Sequence, residues 1–390
     1  MKIDDDKGKT RCVAVYSTKI MAYSHVFIRR QIMAFSLWRP IVVGGKVLNE
    51  LSLDGIQTIE TRKPFLLGEI KELLLWHFSW APRLEKHLAE ENVEVFHAHF
   101  GNSAYAILPF VRKVKIPFVV TFHGMDAAHI APLEGVSRKE KLYPDRALRQ
   151  RHKKLFSQAD AILCVSEHVM NCLRRAGAPE EKLQKHYIGV EVPDKEQVFP
   201  LRADLEILRI LFVGRFVEKK GIFDLLAALE SLSFSNFELV MIGGGESSAV
   251  EEWLERLPGK CEMLGVVDQG RVREEMMQSS VLVVPSKTSR GGDQEGLPTV
   301  IPEAMACGLP VLATRHAGIP EIVFGDETGI LIDENSPEQL ARALEMIYRK
   351  EIDCELLAKN AYEFVSHNFN VSVQSGLLEE IYNSVVINRQ

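Results

Sequence analysis

Short, continuous apolar runs rich in β-branched residues alternate along the chain with longer stretches whose apolar positions recur at helical spacing. The runs Cys12–Tyr16, Glu94–His97, Pro117–Thr121 and Ala161–Val165 predict strands, as do Arg209–Val213, Glu238–Ile242, Val281–Pro285, Pro310–Thr314 and Gly329–Ile332. Their apolar character is continuous rather than alternating, the pattern of parallel strands covered on both faces. Leu73–Glu90, Asp224–Ser231 and Pro337–Arg349 predict helices between them, so the rhythm is β-α-β-α and the class is α/β. The rhythm breaks once, between Val190 and Leu208, where VEVPDKEQVFPLRADLEIL holds two prolines, many charges and little helical period, and reads as a linker. The expected architecture is two doubly wound Rossmann-like domains, 1–198 and 199–369, facing across a cleft. The amphipathic stretch Val371–Val386, within 370–390, is expected to return to the first domain as a helix. Ligands of open α/β sheets bind at the carboxyl ends of the strands, so the chemistry is sought there.

Composition adds bounds to this pattern. The 390 residues are 46% hydrophobic and 26% charged, the proportions of a globular protein, and the length suits two or three domains at roughly 150 residues each. The net charge of -6 is unevenly spread: residues 1–200 carry 30 Lys+Arg against 23 Asp+Glu, a net of +7, and the remainder carries 17 against 30, a net of -13. Apolar runs such as Ile116–Phe122 fall far short of the ~20 residues that span a bilayer. The first ten residues, MKIDDDKGKT, are too polar for the core of a signal peptide, so a cytoplasmic location is expected. The six cysteines are scattered without a C-x-x-C pair, as reduced structural thiols would be. An acidic chain without an aromatic-basic RNA motif is not expected to bind nucleic acid.

Two segments of the second half carry candidate chemistry. In ILFVGRFVEKKG, Ile210 to Gly221, a strand ends in glycine and is followed by Arg215 and Lys220 before a helix. Two cations at a strand end beside a helix N-terminus suit a phosphate or diphosphate, although both are also ordinary loop residues. In GGDQEGLPTVIPEAMACGLPVLAT, Gly291 to Thr314, Glu295 precedes a helix expected to start near Thr299, and Glu303 is expected on its second turn. The N–H groups of Gly296, Leu297 and Thr299 would point out of that helix end. Carboxylates repel phosphate, so Glu295 and Glu303 suit sugar hydroxyls; the other reading of Glu303 is an acid that favours the helix dipole. Gly243–Glu246, GGGE, misses the dinucleotide fingerprint G-x-G-x-x-G because Ser248 holds its last position.

In the first half, VVTFHGMDA sets His123 directly after a strand, and EVFHAHFG sets His97 and His99 on one face of another. Alternate histidines can ligate a metal, but no third ligand follows at suitable spacing, and no metal is expected. Between Ser137 and Lys154 lie eight Lys/Arg and two acids. Such a run is either the wet face of a helix or a basic patch that meets anionic lipid headgroups at ~1 kcal/mol per residue. Trp76, Phe78 and Trp80 are either core or interfacial anchors beside it, and the acidic Asp4–Asp6 reads as a solvated tail.

The ordered series V-G-R-x4-K-G, G-G-G-E, Pro285-Ser286, E-G-L-P-x4-E-A-M-A-C-G-L-P-V and Gly318–Glu321 (G-I-P-E) resembles the retaining glycosyltransferases of family 4, with the GT-B fold. It is most similar to bacterial enzymes of exopolysaccharide, colanic acid and capsule biosynthesis, and it spans most of residues 90–350. The resemblance implies that Arg215 and Lys220 hold the diphosphate of a UDP- or GDP-sugar, without metal or cofactor. It implies that Glu303 meets the donor ribose, that Glu295 meets the transferred sugar with the N–H groups after it, and that the Val266 backbone lies beside the base. Gly243 and Gly244 would allow close packing at a strand end, and His123 would orient the donor sugar at the anomeric centre. The N-terminal stretch from Ser24 to Gln31 is similar to the S-x-T-F-I-x-R-Q variant of the exopolysaccharide subgroup, with Val26 for Thr, and puts Ser24 with His99 on the acceptor side. The resemblance further implies a lipid-linked saccharide acceptor, peripheral contact with the cytoplasmic face of the inner membrane, and same-face attack in which the departing phosphate oxygen takes the acceptor's proton. Two other readings are a catalytically silent GT-B partner subunit of a polysaccharide assembly complex and a hexose-nucleotide epimerase of similar fold.

Overall fold

The computed structural model describes residues 11–22, 25–48, 51–53, 55–61, 81–131, 146–199, 207–245 and 247–389. The chain divides into two compact units, Met1–Gly189 with Val371–Gln390, and Val190–Asn370.

The first unit is built on a seven-stranded parallel sheet. Its strands are β1 (Arg11–Ile20), β2 (Trp38–Val47), β3 (Thr58–Glu60), β4 (Val93–His99), β5 (Phe118–Phe122), β6 (Ala161–Cys164) and β7 (Leu183–Lys185), in the order β3-β2-β1-β4-β5-β6-β7. The order reverses direction between β1 and β4, which makes the carboxyl ends of those strands the switch point of the sheet. One face packs against the helices Gly101–Val114 and Glu167–Ala176, burying Phe96, Phe110, Phe118 and Phe156. The other face is closed by the helix Val371–Ile387, whose Leu378, Tyr382, Val385 and Val386 lie among Val13, Val15, Trp38 and Val119. On the same helix Glu379, 1% exposed, accepts hydrogen bonds from the N–H groups of Ser36 (2.9 Å), Leu37 (2.7 Å) and Trp38 (2.8 Å) and from Ser36 Oγ (3.0 Å). With four donors this buried carboxylate ties the C-terminal helix to the entrance of β2.

The second unit carries a six-stranded parallel sheet, β8 (Leu208–Val213), β9 (Phe237–Ile242), β10 (Lys260–Gly265), β11 (Val281–Val284), β12 (Val311–Thr314) and β13 (Ile330–Ile332). Its order, β10-β9-β8-β11-β12-β13, is the doubly wound order, with the switch point between β8 and β11. The helices Ile222–Glu230 and Pro337–Tyr348 cover one face around Leu225, Leu229, Leu340 and Leu344.

Four strands lie outside the sequence reading. β2 contains Pro40 and the pair Gly44-Gly45, which mark turns elsewhere; β10 is an edge strand with a half-exposed, polar pattern; and β3 and β7 are three-residue edges. The division at Gly189 also precedes the expected boundary at 198. The segment 190–199 belongs to the second unit because Val190 N–H donates to Phe369 O (2.7 Å), Tyr362 Oη donates to Pro193 O (2.5 Å), and Val198 and Phe199 pack on Gly308. Among the described residues, no helix is long and apolar enough to cross a membrane.

Candidate functional site

In the second unit the loops after β8, β9, β11 and β12 converge on one set of charges. β8 runs into Gly214 and Arg215. Gly243, after β9, has φ +146°, and a Cβ there would stand 1.9 Å from Gly214 O, so only glycine lets the two strand ends meet. Gly221, at φ +64°, starts the helix Ile222–Glu230, and a Cβ on it would strike Pro285 O at 1.8 Å. This close approach brings the loop of Lys219 and Lys220 against the segment after β11, where Lys287 N–H donates to Lys219 O (2.9 Å).

The charges there are interlocked. Lys219 Nζ lies 3.1 Å from Asp293 Oδ2 and 3.5 Å from Glu295 Oε1, and Lys220 Nζ lies 3.3 Å from the same Glu295 oxygen. The side chains of both lysines and of Glu295 are largely buried. Burial works to raise the Glu295 carboxyl, yet the ammonium groups of Lys220 and Lys219 hold it below its ordinary value, so it is ionised at neutral pH. Arg215 is exposed and has no ion-pair partner among the described residues.

The loop carrying Glu295 is fixed from below. Glu295 N–H donates to His316 Nε2 (3.2 Å), His316 Nδ1 pairs with Glu334 Oε1 (2.7 Å), and Glu334 Oε2 accepts from Thr288 N–H (2.9 Å). Gly318 N–H adds a bond to Gly296 O (3.1 Å). Leu297 is buried, Thr299 is the N-cap residue of the helix Val300–Ala306, and Glu303, half-buried, is on its first turn. Val266 lies beyond β10 with its side chain 67% exposed, against Gly244.

In the first unit three histidines cluster at the ends of β4 and β5. His97 is fully enclosed, with Nδ1 2.6 Å from Tyr382 Oη and Nε2 2.7 Å from Thr121 Oγ1. Its ring lies tilted against that of His99, centroids 4.4 Å apart, and His99 Nδ1 is 3.1 Å from His123 Nε2. Burial lowers His99 to about 3 and pushes His97 and His123 well below their ordinary value, so all three are neutral hydrogen-bonding groups at pH 7. His99 Nε2 and His123 Nδ1 are buried and have no partner among the described residues. Asp126 holds the two strand ends together by accepting from Gly101 N–H (2.8 Å), His123 N–H (3.0 Å) and Gly124 N–H (3.0 Å). Phe100 sits between β4 and its helix at φ +69°, a conformation that bulky residues rarely adopt and that is often kept at functional sites.

The model of the family described as Glycosyl transferases group 1 matches residues 194–364, and that of Glycosyltransferase Family 4 matches residues 49–192. WcaL of Escherichia coli K12, a glycosyltransferase ascribed to colanic acid biosynthesis, is 31% identical over 292 residues, which cover 72% of this chain and 68% of WcaL. The chain is a family 4 glycosyltransferase. The amylovoran biosynthesis glycosyltransferase AmsK of Erwinia amylovora is 30% identical, with 74% of this chain and 69% of AmsK covered. A crystal structure of Anabaena HepE in complex with UDP superposes with a TM-score of 0.75 over 96% of this chain and all of HepE, at 16% identity. Sucrose-phosphate synthase of Thermosynechococcus elongatus gives 0.76 over 97% of this chain and all of that protein, at 20% identity. These two likenesses show the fold, which is GT-B.

For this glycosyltransferase the expected site residues fall into two groups. Arg215, Lys220, Gly243, Val266, Glu295, Gly296, Leu297, Thr299 and Glu303 lie in the loops and first helical turn at the carboxyl ends of the second sheet. His99 and His123 touch each other at the carboxyl ends of the first. Ser24, Asp4–Asp6 and Trp76, Phe78 and Trp80 lie outside the described residues, as does the basic run before Arg146. Among the described residues no cluster of His, Cys, Asp and Glu could hold a metal ion. Three residues of the site escaped the sequence reading: Lys219, the more enclosed of the two adjacent lysines, Asp126, three residues after His123, and His316, two before Gly318.

Proposed function

We propose that the protein is a retaining glycosyltransferase that moves a sugar from a nucleoside-diphosphate sugar to a saccharide acceptor in surface polysaccharide assembly. The observation that carries this reading is the cationic pair at the end of β8, Arg215 exposed and Lys220 against Glu295, at the switch point of a doubly wound sheet. As the leaving diphosphate gains negative charge in the transition state, Arg215 and Lys220 stabilise it, the kind of electrostatic term that dominates such reactions. Ionised Glu295 accepts hydrogen bonds from the transferred sugar, and Glu303 accepts them from the ribose. No metal or cofactor takes part in this proposal. Neutral His123, partnered by His99, orients the sugar as a hydrogen-bonding group, and the departing phosphate oxygen takes the acceptor's proton.

The relatives support the substrate class: HepE has been solved with UDP and with UDP-glucose, and WcaL and AmsK are named for colanic acid and amylovoran biosynthesis. The proposed donor is accordingly a UDP- or GDP-sugar, and the proposed acceptor a lipid-linked saccharide at the cytoplasmic face of the inner membrane. The test is turnover with nucleotide sugars and a lipid-linked acceptor, with the anomeric configuration of the product read by NMR. Retention supports the proposal. An inverted product, or a covalent glycosyl-enzyme on Glu295 in mass spectra, refutes the same-face mechanism, and nucleotide-sugar binding without turnover favours a silent partner subunit.

A further inference from the structure

The link between Glu295 and His316 has a direction. A backbone N–H can only donate, so the 3.2 Å bond from Glu295 N–H requires an unprotonated His316 Nε2. The neutral ring then carries its proton on Nδ1, which is donated to Glu334 Oε1 at 2.7 Å. A proton on Nε2 would set two donors against each other inside the protein, where His316 is 1% exposed. The far side of Glu334 is fixed as well, because its Oε2 accepts from Thr288 N–H, and Thr288 Oγ1 accepts from Gln294 Nε2 (3.1 Å). His316 and Glu334 thus grip the loop 288–295 at both ends. The groups facing them from that loop are Thr288 and Glu295, with Lys219 and Lys220 on the other side of the Glu295 carboxylate.

We propose that His316 and Glu334 form a positioning dyad that sets the Glu295 carboxylate through one imidazole tautomer, neutral with the proton on Nδ1. The ring touches no substrate in this account. It acts through the Glu295 amide, so its loss should weaken the hold on the sugar and spare the hold on the nucleotide. The inference rests on the proposed role of Glu295 at the transferred sugar.

The experiment has two arms on the full chain. In the first, side-chain 15N NMR of histidine-labelled protein at pH 7.5, with His316 assigned by its absence in His316→Gln, reads the tautomer without any substrate. The expected signature is a neutral ring protonated at Nδ1; an imidazolium or an Nε2–H ring overturns the inference. In the second, wild type, His316→Asn and His316→Gln are titrated with UDP-glucose, UDP, GDP-mannose and GDP. The Gln oxygen reaches the position of Nε2 and can accept from Glu295 N–H, whereas the Asn amide reaches only Nδ1. Leaving one buried N–H unpaired predicts roughly 10- to 100-fold weaker binding of the accepted nucleotide sugar by His316→Asn, with the bare nucleotide within about threefold and His316→Gln close to wild type. Equal losses for sugar and bare nucleotide, or equal behaviour of Asn and Gln variants at matched thermal stability, overturn the dyad. If wild type binds none of the four compounds, the donor reading fails and the tautomer arm still decides the inference.

Discussion

Lys220 Nζ lies 3.3 Å from Glu295 Oε1, so the cation proposed for the diphosphate and the carboxylate proposed for the sugar neutralise each other across two loops of one sheet. Phosphate binding must therefore compete with Glu295 for Lys220. Glu295→Gln should remove that competition and the repulsion between carboxylate and phosphate. A nucleoside diphosphate should bind roughly threefold to tenfold more tightly, while turnover falls about 100-fold. Calorimetric titration and initial rates check the opposite signs, and parallel losses in both would contradict this account of the pair.

Arg215 and Lys219 separate binding from stability. Arg215 is exposed without an ion-pair partner among the described residues, so Arg215→Ala should change unfolding free energy by less than about 0.5 kcal/mol. Lys219 is 7% exposed and faces both Asp293 and Glu295, so Lys219→Ala leaves Asp293 without its ammonium partner, while Glu295 keeps Lys220, and should cost about 2 kcal/mol. Urea denaturation of the two variants should show this contrast.

Glu379 should behave as a structural carboxylate. Its four donors lie in residues 36–38, and Glu379→Ala leaves three backbone N–H groups unpaired at the entrance to β2. A loss of about 3 kcal/mol is expected, against less than about 0.5 kcal/mol for exposed Glu380→Ala. Urea midpoints and slopes on the full chain check both values.

The histidine cluster sets an acid limit. His99, with its folded pKa lowered by burial to about 3 from an ordinary 6.5, stays neutral in the native state while the unfolded chain takes up a proton below pH 6.5. The unfolded state therefore binds more protons between pH 6.5 and 3, and native stability falls as the pH drops through that window. His97, His123 and His186, also lowered by burial, act in the same direction. His99→Asn should lower the slope of stability against pH there by up to about 1.4 kcal/mol per unit relative to wild type. Denaturation series at pH 7.5, 5.5 and 4.5 measure it, and an unchanged slope would show that His99 is protonated in the native state.

What could be read in the sequence was what burial and local backbone chemistry write there. Strands covered on both faces, such as Val281–Val284, appear as unbroken apolar runs, whereas the edge strand Lys260–Gly265 keeps polar residues and is hidden. Lys220 was visible from its place before Gly221. Lys219 was not, because which of two adjacent lysines turns inward depends on Asp293, 74 positions away. The bonds Tyr382–His97 and Glu379–Trp38 likewise join residues 285 and 341 positions apart, and no local pattern announces such partners. His316 looks like any loop histidine until β12 and β13 bring it under Glu295 and beside Glu334.

The central claim is that the second unit holds a nucleoside-diphosphate sugar on Arg215, Lys220 and Glu303. The most direct measurement is the unfolding free energy of wild type, Arg215→Ala and Glu303→Ala against a panel of UDP-, GDP- and ADP-sugars. The account predicts that at least one donor stabilises wild type by about 2.7 kcal/mol at 100 times its dissociation constant, and that both variants lose this gain, with Arg215→Ala unfolding normally without ligand. Stabilisation by no member of the panel, or equal stabilisation of wild type and Arg215→Ala, would contradict it.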